Sequence, residues 1–97
     1  MNFGEYLKRL RRKKGVSQAD LAAAAEVDTS YVSKIEKGVS YPSEDLLISF
    51  AKTLEVDHVD LILRCGKVPG EFVELILNDD ETVGYLKGKL RKDGEYV

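Results

Sequence analysis

The residue types that most often perform catalysis are few in this sequence, and they stand far apart. The only histidine, His58, and the only cysteine, Cys65, do not form a defensible pair of base and nucleophile. His58 fits a surface or capping position at the start of a helix, and Cys65 fits a half-buried position at a helix end. The run Asn78-Asp79-Asp80-Glu81 could bind a cation, although it better suits cap and turn positions. Because side chains with metal-ligand spacing are also absent from the sequence, we expect no enzyme and no metal or cofactor site.

The charged residues are divided unevenly, in a way that suits contact with a nucleic acid. Residues 1–41 carry eight Lys or Arg against five Asp or Glu, a net charge of +3, whereas residues 42–97 carry seven against twelve, a net charge of −5. Six of the cations lie between Lys8 and Lys14. A phosphate backbone responds to such a local potential, so the total charge of −2 does not exclude DNA. The cluster is equally typical of a solvated helix face, and charge alone therefore does not decide the function.

The length and composition indicate a small globular protein. With 97 residues the chain is one domain, or one small domain with an appendage. Its hydrophobic share of 43% is too high for a disordered chain. No apolar run approaches the roughly 18 residues of a membrane span, and the N-terminus does not have the pattern of a signal peptide. A single cysteine excludes an internal disulfide and fits a reducing compartment, so we expect a cytoplasmic protein with no membrane partner.

The apolar spacing of the first two thirds of the chain predicts five helices. Phe3, Leu7 and Leu10 recur at helical spacing, and Gly15 is the expected residue just past the end of this first helix. The short polar residues suited to cap the later helices are Ser17, Asp28, Ser43 and Asp57. The predicted helices are Asn2–Lys14, Gln18–Ala25, Thr29–Lys37, a fourth with Leu46, Leu47, Phe50, Ala51 and Leu54 facing inward, and a fifth with Val59, Leu61, Ile62 and Leu63.

The segment after the fifth helix is harder to interpret. Residues 66–70 contain two glycines and a proline and mark the start of an appendage. The apolar run 72–77 fits either a helix or a strand, because short apolar runs cannot be assigned by period alone. We favour two short helices, the second capped by Asp79 or Asp80. Gly84 and Gly88 count against that second helix by about 1 kcal/mol each.

Residues 18–38 have the pattern of two short helices joined by a tight turn. Such helices cross at a wide angle and need a small residue at the crossing, which Ala22 supplies. They also need apolar residues that bury the crossing against neighbouring helices. These are Leu21, Val27, Val32 and Ile35. In a DNA-binding helix-turn-helix, the second helix presents the side chains of its N-terminal part to the major groove.

Around this pattern the chain resembles the Cro/C1-type (XRE) helix-turn-helix family. The resemblance covers roughly residues 3–65, and it is carried by Leu10-Arg11, Gly15-Val16-Ser17-Gln18, Leu21-Ala22, the run from Tyr31 to Gly38, Pro42 and Leu54-Glu55-Val56. The short C-terminal extension at residues 67–97, predicted to be helical from its own residues, lies outside the resemblance. For residues 1–66 the resemblance implies an all-α fold, a five-helix, phage-repressor-like DNA-binding domain. It also implies a transcriptional regulator, most simply a repressor, whose partner is double-stranded DNA.

One residue departs from the family pattern. The family usually has glycine at the turn where this chain has Glu26. A left-handed backbone at that position would cost a residue other than glycine roughly 1 kcal/mol. A domain of this kind can absorb such a cost, so the departure does not change the family assignment. It leaves the geometry of the turn undecided.

The resemblance implies roles for particular side chains. Those that meet base edges are Thr29, Ser30 and Lys34, and their chemistry permits it, since lysine can donate to guanine while the hydroxyls donate or accept. The candidates for contact with the DNA backbone are Ser17, Gln18, Tyr31, Ser33 and Lys37. Ser17 could equally serve as a cap, and Tyr31 could simply pack. Arg11 and Glu36 match a family ion pair between the first and third helices, which we interpret as structural.

The recognition helix by itself reads too few bases for specificity. Such a helix covers about 4–5 base pairs, so these proteins usually bind as symmetric dimers with recognition helices ~34 Å apart. We place the dimer surface on the fifth helix and the extension. Its residues are Leu61, Leu63, Phe72, Leu75, Ile76, Val83, Leu86 and Leu90. The alternative is that these residues only cover the protein's own core.

A second function fits the same sequence. The fold also serves in antitoxins and adaptors, where an extension binds a protein partner and DNA binding is only part of the role. The acidic second half and the extension are compatible with either function.

Overall fold

The computed structural model describes residues 1–90, and this part of the chain is entirely α-helical. It divides into two compact units, Met1–Lys67 and a second unit that begins at Val68. The first unit contains α1 (Phe3–Lys13), α2 (Gln18–Ala24), α3 (Thr29–Glu36), α4 (Glu44–Leu54) and α5 (His58–Arg64). The second contains α6 (Gly70–Asn78) and α7 (Asp80–Leu90).

Short polar side chains start the helices of the first unit. The Ser17 hydroxyl accepts a hydrogen bond from the Asp20 N–H (3.0 Å), as Ser43 does from the Leu46 N–H (3.2 Å). The Asp57 carboxylate accepts from the Val59 N–H at 2.7 Å. These three predicted caps are confirmed. Each satisfies backbone donors that would otherwise have no partner in the first turn.

The predicted position of Asp28 as the N-cap residue of α3 is confirmed, but its side chain does not act as a cap. Asp28 occupies the N-cap position with an extended backbone, but its side chain makes no capping hydrogen bond. Its carbonyl oxygen instead accepts from the N–H of Tyr31 at 3.0 Å, as the backbone of any N-cap residue can. The side chain of Asp28 is exposed, so water solvates its carboxylate. The start of α3 therefore depends on the backbone of the turn more than on this side chain.

All five helices of the first unit contribute to one hydrophobic core. Burial of these apolar side chains is the main favourable term that holds the helices together. The five residues predicted to face inward from α4 are all buried, and so are the two central residues of α5. The core consists of Leu7, Leu21, Ala22, Val32, Ile35, Leu46, Leu47, Phe50, Ala51, Leu54, Leu61 and Ile62.

Left-handed residues end several of these helices. Gly15 and Gly38 have φ values of +71° and +78°, as expected of glycines that follow a helix. Two residues with side chains adopt the same conformation: Glu26 at φ 57° and Glu55 at φ 58°. The turn at Glu26 therefore keeps the left-handed geometry for which the family uses glycine, and the backbone there carries the strain.

The second unit is a pair of packed helices, which confirms the helical interpretation of residues 72–77 over a strand. Asp79 starts α7, since its carboxylate accepts from the Glu81 N–H (3.2 Å) and the Thr82 hydroxyl (2.8 Å). Neither α6 nor α7 contains a buried residue. Residues 91–97 lie outside the described part of the chain.

Candidate nucleic-acid interface

The helix pair α2–α3 is built around a tight turn with buried contacts on one side. Leu21 and Ala22 of α2 are buried, as are Val32 and Ile35 of α3. The N–H of Val27 donates to the carbonyl of Ala22 at 3.0 Å, which closes the turn. Because one side of each helix is fixed in the core, the opposite side of α3 is held in a defined orientation towards solvent.

The three side chains predicted to meet base edges all lie on the exposed side of α3. Thr29 and Ser30 are the first two residues of the helix, and Lys34 follows one turn later. All three are exposed. They combine two hydroxyls, which donate and accept, with one ammonium, which only donates. This set can read hydrogen-bonding groups on base edges in a major groove.

The five predicted backbone contacts differ in how freely they could reach a phosphate. Lys37 is exposed and follows the last residue of α3. Ser17 is exposed but its hydroxyl already caps α2. Ser33 and Tyr31 are half-buried, and the Tyr31 hydroxyl donates to the carbonyl of Tyr41 at 3.4 Å. The fifth candidate, Gln18, is half-buried and belongs to an internal network.

That network is centred on a buried ion pair between α1 and α3. Arg11 Nε donates to Glu36 Oε2 at 2.7 Å and Arg11 Nη2 donates to Glu36 Oε1 at 3.1 Å, so the ion pair is bidentate. Both residues are buried. Arg11 Nη1 also donates to the carbonyl of Val16 at 3.0 Å, and Gln18 Nε2 donates to Glu36 Oε1 at 3.0 Å. The Arg11–Glu36 pair thus joins α1, the loop before α2, the start of α2 and the end of α3.

The pKa of Glu36 reflects this balance of burial and pairing. Burial alone would raise the pKa of the carboxyl. Hydrogen bonds from Arg11 and Gln18, with the charges of Arg11 and Lys8, outweigh burial and lower the pKa below its ordinary value of 4.5. Glu36 is therefore ionised at neutral pH and acts only as an acceptor.

Sequence reasoning missed two features of this face. It assigned Gln18 to a phosphate without finding its bond to Glu36, because a contact across 18 positions of sequence leaves no periodic signal. It also did not single out the loop between α3 and α4, where Val39 and Tyr41 are 70% and 81% exposed. The signal in the sequence that could have identified it is the presence of two apolar residues within a short turn between helices.

The predicted dimer residues are not all available for contact. Leu61 is only 1% exposed, since it faces the core of the first unit, so its assignment to an interface is wrong. Leu63, on the same helix, is 46% exposed. In the second unit, Val83 is half-buried, while the remaining five are exposed. These five are Phe72, Leu75, Ile76, Leu86 and Leu90.

Other kinds of site find little support in residues 1–90. In that range no three His, Cys, Asp or Glu side chains come together as metal ligands. None of the helices described there has both the length and the apolar character needed to cross a membrane. The fold and the exposed face of α3 together define a helix-turn-helix DNA-binding protein.

Comparison with known proteins gives the family. The helix-turn-helix family model matches residues 7–61, more than half of the chain. The chain belongs to the Cro/C1-type (XRE) family of helix-turn-helix transcriptional regulators, which bind DNA and are not enzymes. This confirms the expected family and the expected all-α fold.

Individual relatives agree with this assignment. The chain is 33% identical over 66 residues to the HTH-type transcriptional regulator y4dJ of Sinorhizobium fredii. The match covers 68% of this chain and 86% of that protein. It is 36% identical to the HTH-type transcriptional regulator DdrOP3 of Deinococcus deserti, over 64% of this chain and 48% of the relative. It is 41% identical to the HTH-type transcriptional regulator SlrR of Bacillus subtilis, over 61% of this chain and 40% of the relative. The match thus spans less than half the length of the last two.

A solved structure extends the likeness beyond the DNA-binding unit. The structure of a complex of SinR protein and SinI protein matches with a TM-score of 0.57 and 30% identity. The match covers 97% of this chain and 92% of that one. The similarity therefore includes the C-terminal helices.

Proposed function

We propose that this regulator is a repressor that binds a palindromic operator as a homodimer, with α3 in the major groove. The observation that carries the proposal is the exposed set Thr29, Ser30 and Lys34 on one side of α3, whose other side is fixed in the core. The helix is held rigidly enough for these side chains to meet bases in a constant register. The flanking phosphates are contacted by Ser17, Gln18, Tyr31, Ser33 and Lys37.

The homodimer rests on the exposed apolar residues of α6 and α7. Two short packed helices without a buried residue are not stable by themselves in water, because helical stability in proteins comes mainly from burying an apolar face. Phe72, Leu75 and Ile76 recur at helical spacing and form such a face on α6. A second copy would bury it and bring two recognition helices together.

The DNA contacts can be tested without knowing the operator. Duplexes recovered by selection from a randomised library serve as the specific probe, and a scrambled duplex serves as the non-specific one. Lys34→Ala should weaken binding to the selected duplex by about 1–3 kcal/mol and relax the preference at one position of each half-site. Lys37→Ala is the matched control, because loss of a phosphate contact should weaken both duplexes alike. If Lys34→Ala leaves the selected sequence and its affinity unchanged, α3 does not read bases in this way.

The dimer and the repressor role need separate measurements. Half-sites in the selected sequence should be about 10 base pairs apart, and sedimentation at micromolar concentration should give a dimer. A strict monomer with a single half-site contradicts the dimer. A reporter whose promoter overlaps the selected site should fall in expression when the protein is present, and a rise would indicate an activator.

A protein partner is the second candidate for the α6–α7 unit. The solved structure that this chain resembles along most of its length is described as a complex of two proteins. In an antitoxin or adaptor role, α6 and α7 would bury their apolar face against a different chain. A monomer that still binds single half-sites, and that forms a stoichiometric complex with the product of an adjacent gene, would support this function over the homodimer.

A further inference from the structure

We infer that Glu36 is a positioning residue for DNA binding, because its carboxylate fixes the side-chain amide of Gln18 in the orientation that presents an N–H donor to a phosphate. The inference rests on the proposed contact between Gln18 and the DNA backbone. It assigns to the Arg11–Glu36 pair a role beyond holding α1 and α3 together.

The chemistry of the partners determines which end of the Gln18 amide faces inward. Glu36 is ionised and buried, so both of its oxygens can only accept hydrogen bonds. The end of the amide that lies 3.0 Å from Glu36 Oε1 must therefore be the nitrogen. A flipped amide would place two acceptors against each other in a partly buried site, which is unfavourable. The carboxylate thus selects one of the two amide orientations.

The nitrogen that faces Glu36 carries a second N–H. One N–H of Gln18 Nε2 is used by Glu36, and the side chain makes no other hydrogen bond within residues 1–90. The second N–H and the amide oxygen remain for groups outside the protein, and Gln18 is half-buried beside the exposed Ser17. A side chain held in one rotamer before binding loses less conformational entropy when it meets a phosphate.

Arg11 makes this arrangement possible. A buried carboxylate without a counter-ion would be costly, and Arg11 supplies the charge through its bidentate contact. Arg11 also holds the loop before α2 through the Val16 carbonyl, at 3.0 Å. The position of Gln18 relative to Glu36 is therefore fixed from both sides, by the loop that leads into α2 and by the end of α3.

A double-mutant cycle on the full chain tests the inference. One change is Gln18→Ala, and the other is the paired replacement R11M/E36M, which removes one positive and one negative charge and so leaves the net charge unchanged. Replacing a buried ion pair by apolar side chains of similar volume is often tolerated, and circular dichroism checks that the variant is folded. The probes are the duplex selected from a randomised library and its scrambled counterpart.

The expected result is non-additive loss of affinity. Gln18→Ala should weaken binding to both duplexes about fivefold, the value of one hydrogen bond. R11M/E36M should give a similar loss, and adding Gln18→Ala to it should change the affinity by less than about twofold. If Gln18→Ala again costs about fivefold in the R11M/E36M background, Glu36 does not position Gln18, and the inference is overturned. If Gln18→Ala alone changes nothing, the phosphate contact itself is absent, and that part of the proposed function fails with it.

A spectroscopic measurement on the unmutated chain does not depend on whether the double variant folds. The side-chain amide signals of Gln18, assigned by their loss in Gln18→Ala, should show one proton protected from exchange with solvent. Both protons should shift as Glu36 is protonated at acidic pH. Signals like those of a free glutamine amide, without this titration, would overturn the inference.

Discussion

A side chain at Gly4 would overlap the carbonyl oxygen of Glu36. A Cβ atom built on Gly4 would also lie 2.7 Å from the carbonyl oxygen of Ile35, closer than real Cβ contacts come. The N-terminal end of α1 thus packs directly on the backbone at the C-terminal end of α3. This contact and the Arg11–Glu36 pair hold α3 against α1 at two points, about two turns apart along α1.

Gly4→Ala should therefore destabilise the protein although alanine is the better helix former. The added methyl group meets backbone that cannot rotate away, so α1 or α3 must shift, and we expect a loss of about 1–3 kcal/mol in the free energy of unfolding. Urea unfolding followed by circular dichroism measures it. Gly88→Ala is the matched control, because a Cβ there meets nothing within 4 Å and alanine should stabilise α7 by up to about 1 kcal/mol. Equal effects of the two substitutions would contradict the close contact.

Glu26→Gly should stabilise the protein. Glu26 has a left-handed backbone at φ 57°, which costs a residue with a Cβ about 1 kcal/mol. Glycine removes that strain, and part of the gain is offset by the greater freedom of glycine in the unfolded chain, so we expect an increase of about 0.5 kcal/mol in the free energy of unfolding. Thermal and urea unfolding measure the change.

Glu26→Ala separates backbone strain from charge. Alanine removes the carboxylate but keeps the Cβ, so it should give little or none of the gain. If alanine stabilises as much as glycine, the benefit comes from removing a negative charge, and the strain argument fails.

The features that the sequence predicted are local ones. The bounds of α1, α2 and α3 agree with the predicted ones within about one residue, as expected where apolar spacing and a cap such as Ser17 both mark a boundary. The family resemblance identified Glu26 as the residue at the turn but left the backbone geometry there undecided, and the structure shows that it is left-handed. Each of these depends on residues within a few positions of one another, which a single sequence displays directly.

The features that were missed depend on packing between helices. An apolar residue such as Leu61 belongs equally to a core or to an interface until its neighbours are known, and the structure places it inside. The Gln18–Glu36 bond and the Gly4 contact both join segments far apart in sequence. No periodicity within one element could have indicated them, because they are set by the angle at which two helices cross.

The stability of the protein should fall with acidification through Glu36. Because the folded-state pKa of Glu36 is lowered, its contribution is complete above the ordinary value of 4.5 and is lost as the pH falls through the folded-state pKa. Because acidification also affects the other carboxylates, the prediction concerns the difference in the free energy of unfolding between the unmodified chain and Glu36→Gln. Glu36→Gln should be less stable than the unmodified chain at neutral pH, and the difference in the free energy of unfolding should narrow as the pH falls below 4.5, as measured by urea unfolding. A difference that does not change with pH would mean that the charge of Glu36 contributes nothing to stability.

A charge on the apolar face of α6 should prevent self-association. Leu75 belongs to the proposed dimer surface, so Leu75→Glu would bury a carboxylate without a partner and should convert a dimer to a monomer at micromolar concentration. Leu77 is 73% exposed and lies outside that surface, and Leu77→Glu is the matched control with the same charge on the same helix. Sedimentation velocity distinguishes the two. If both substitutions convert the dimer to a monomer, the total charge of the second unit controls self-association, and the apolar face that contains Leu75 does not.

Cys65 should react slowly with thiol reagents as long as the protein is folded. Burial raises the pKa of this thiol above its ordinary value of 9.0, although the charge of Lys67 partly opposes the shift. Since only the thiolate reacts, alkylation by iodoacetamide near neutral pH should be slower than in a short unstructured peptide containing residues 62–68. Because Cys65 is the only cysteine, the reaction reports this site alone, and mass spectrometry follows it. Urea should abolish the protection, and a native rate equal to that of the peptide would show that Cys65 is not shielded by the end of α5.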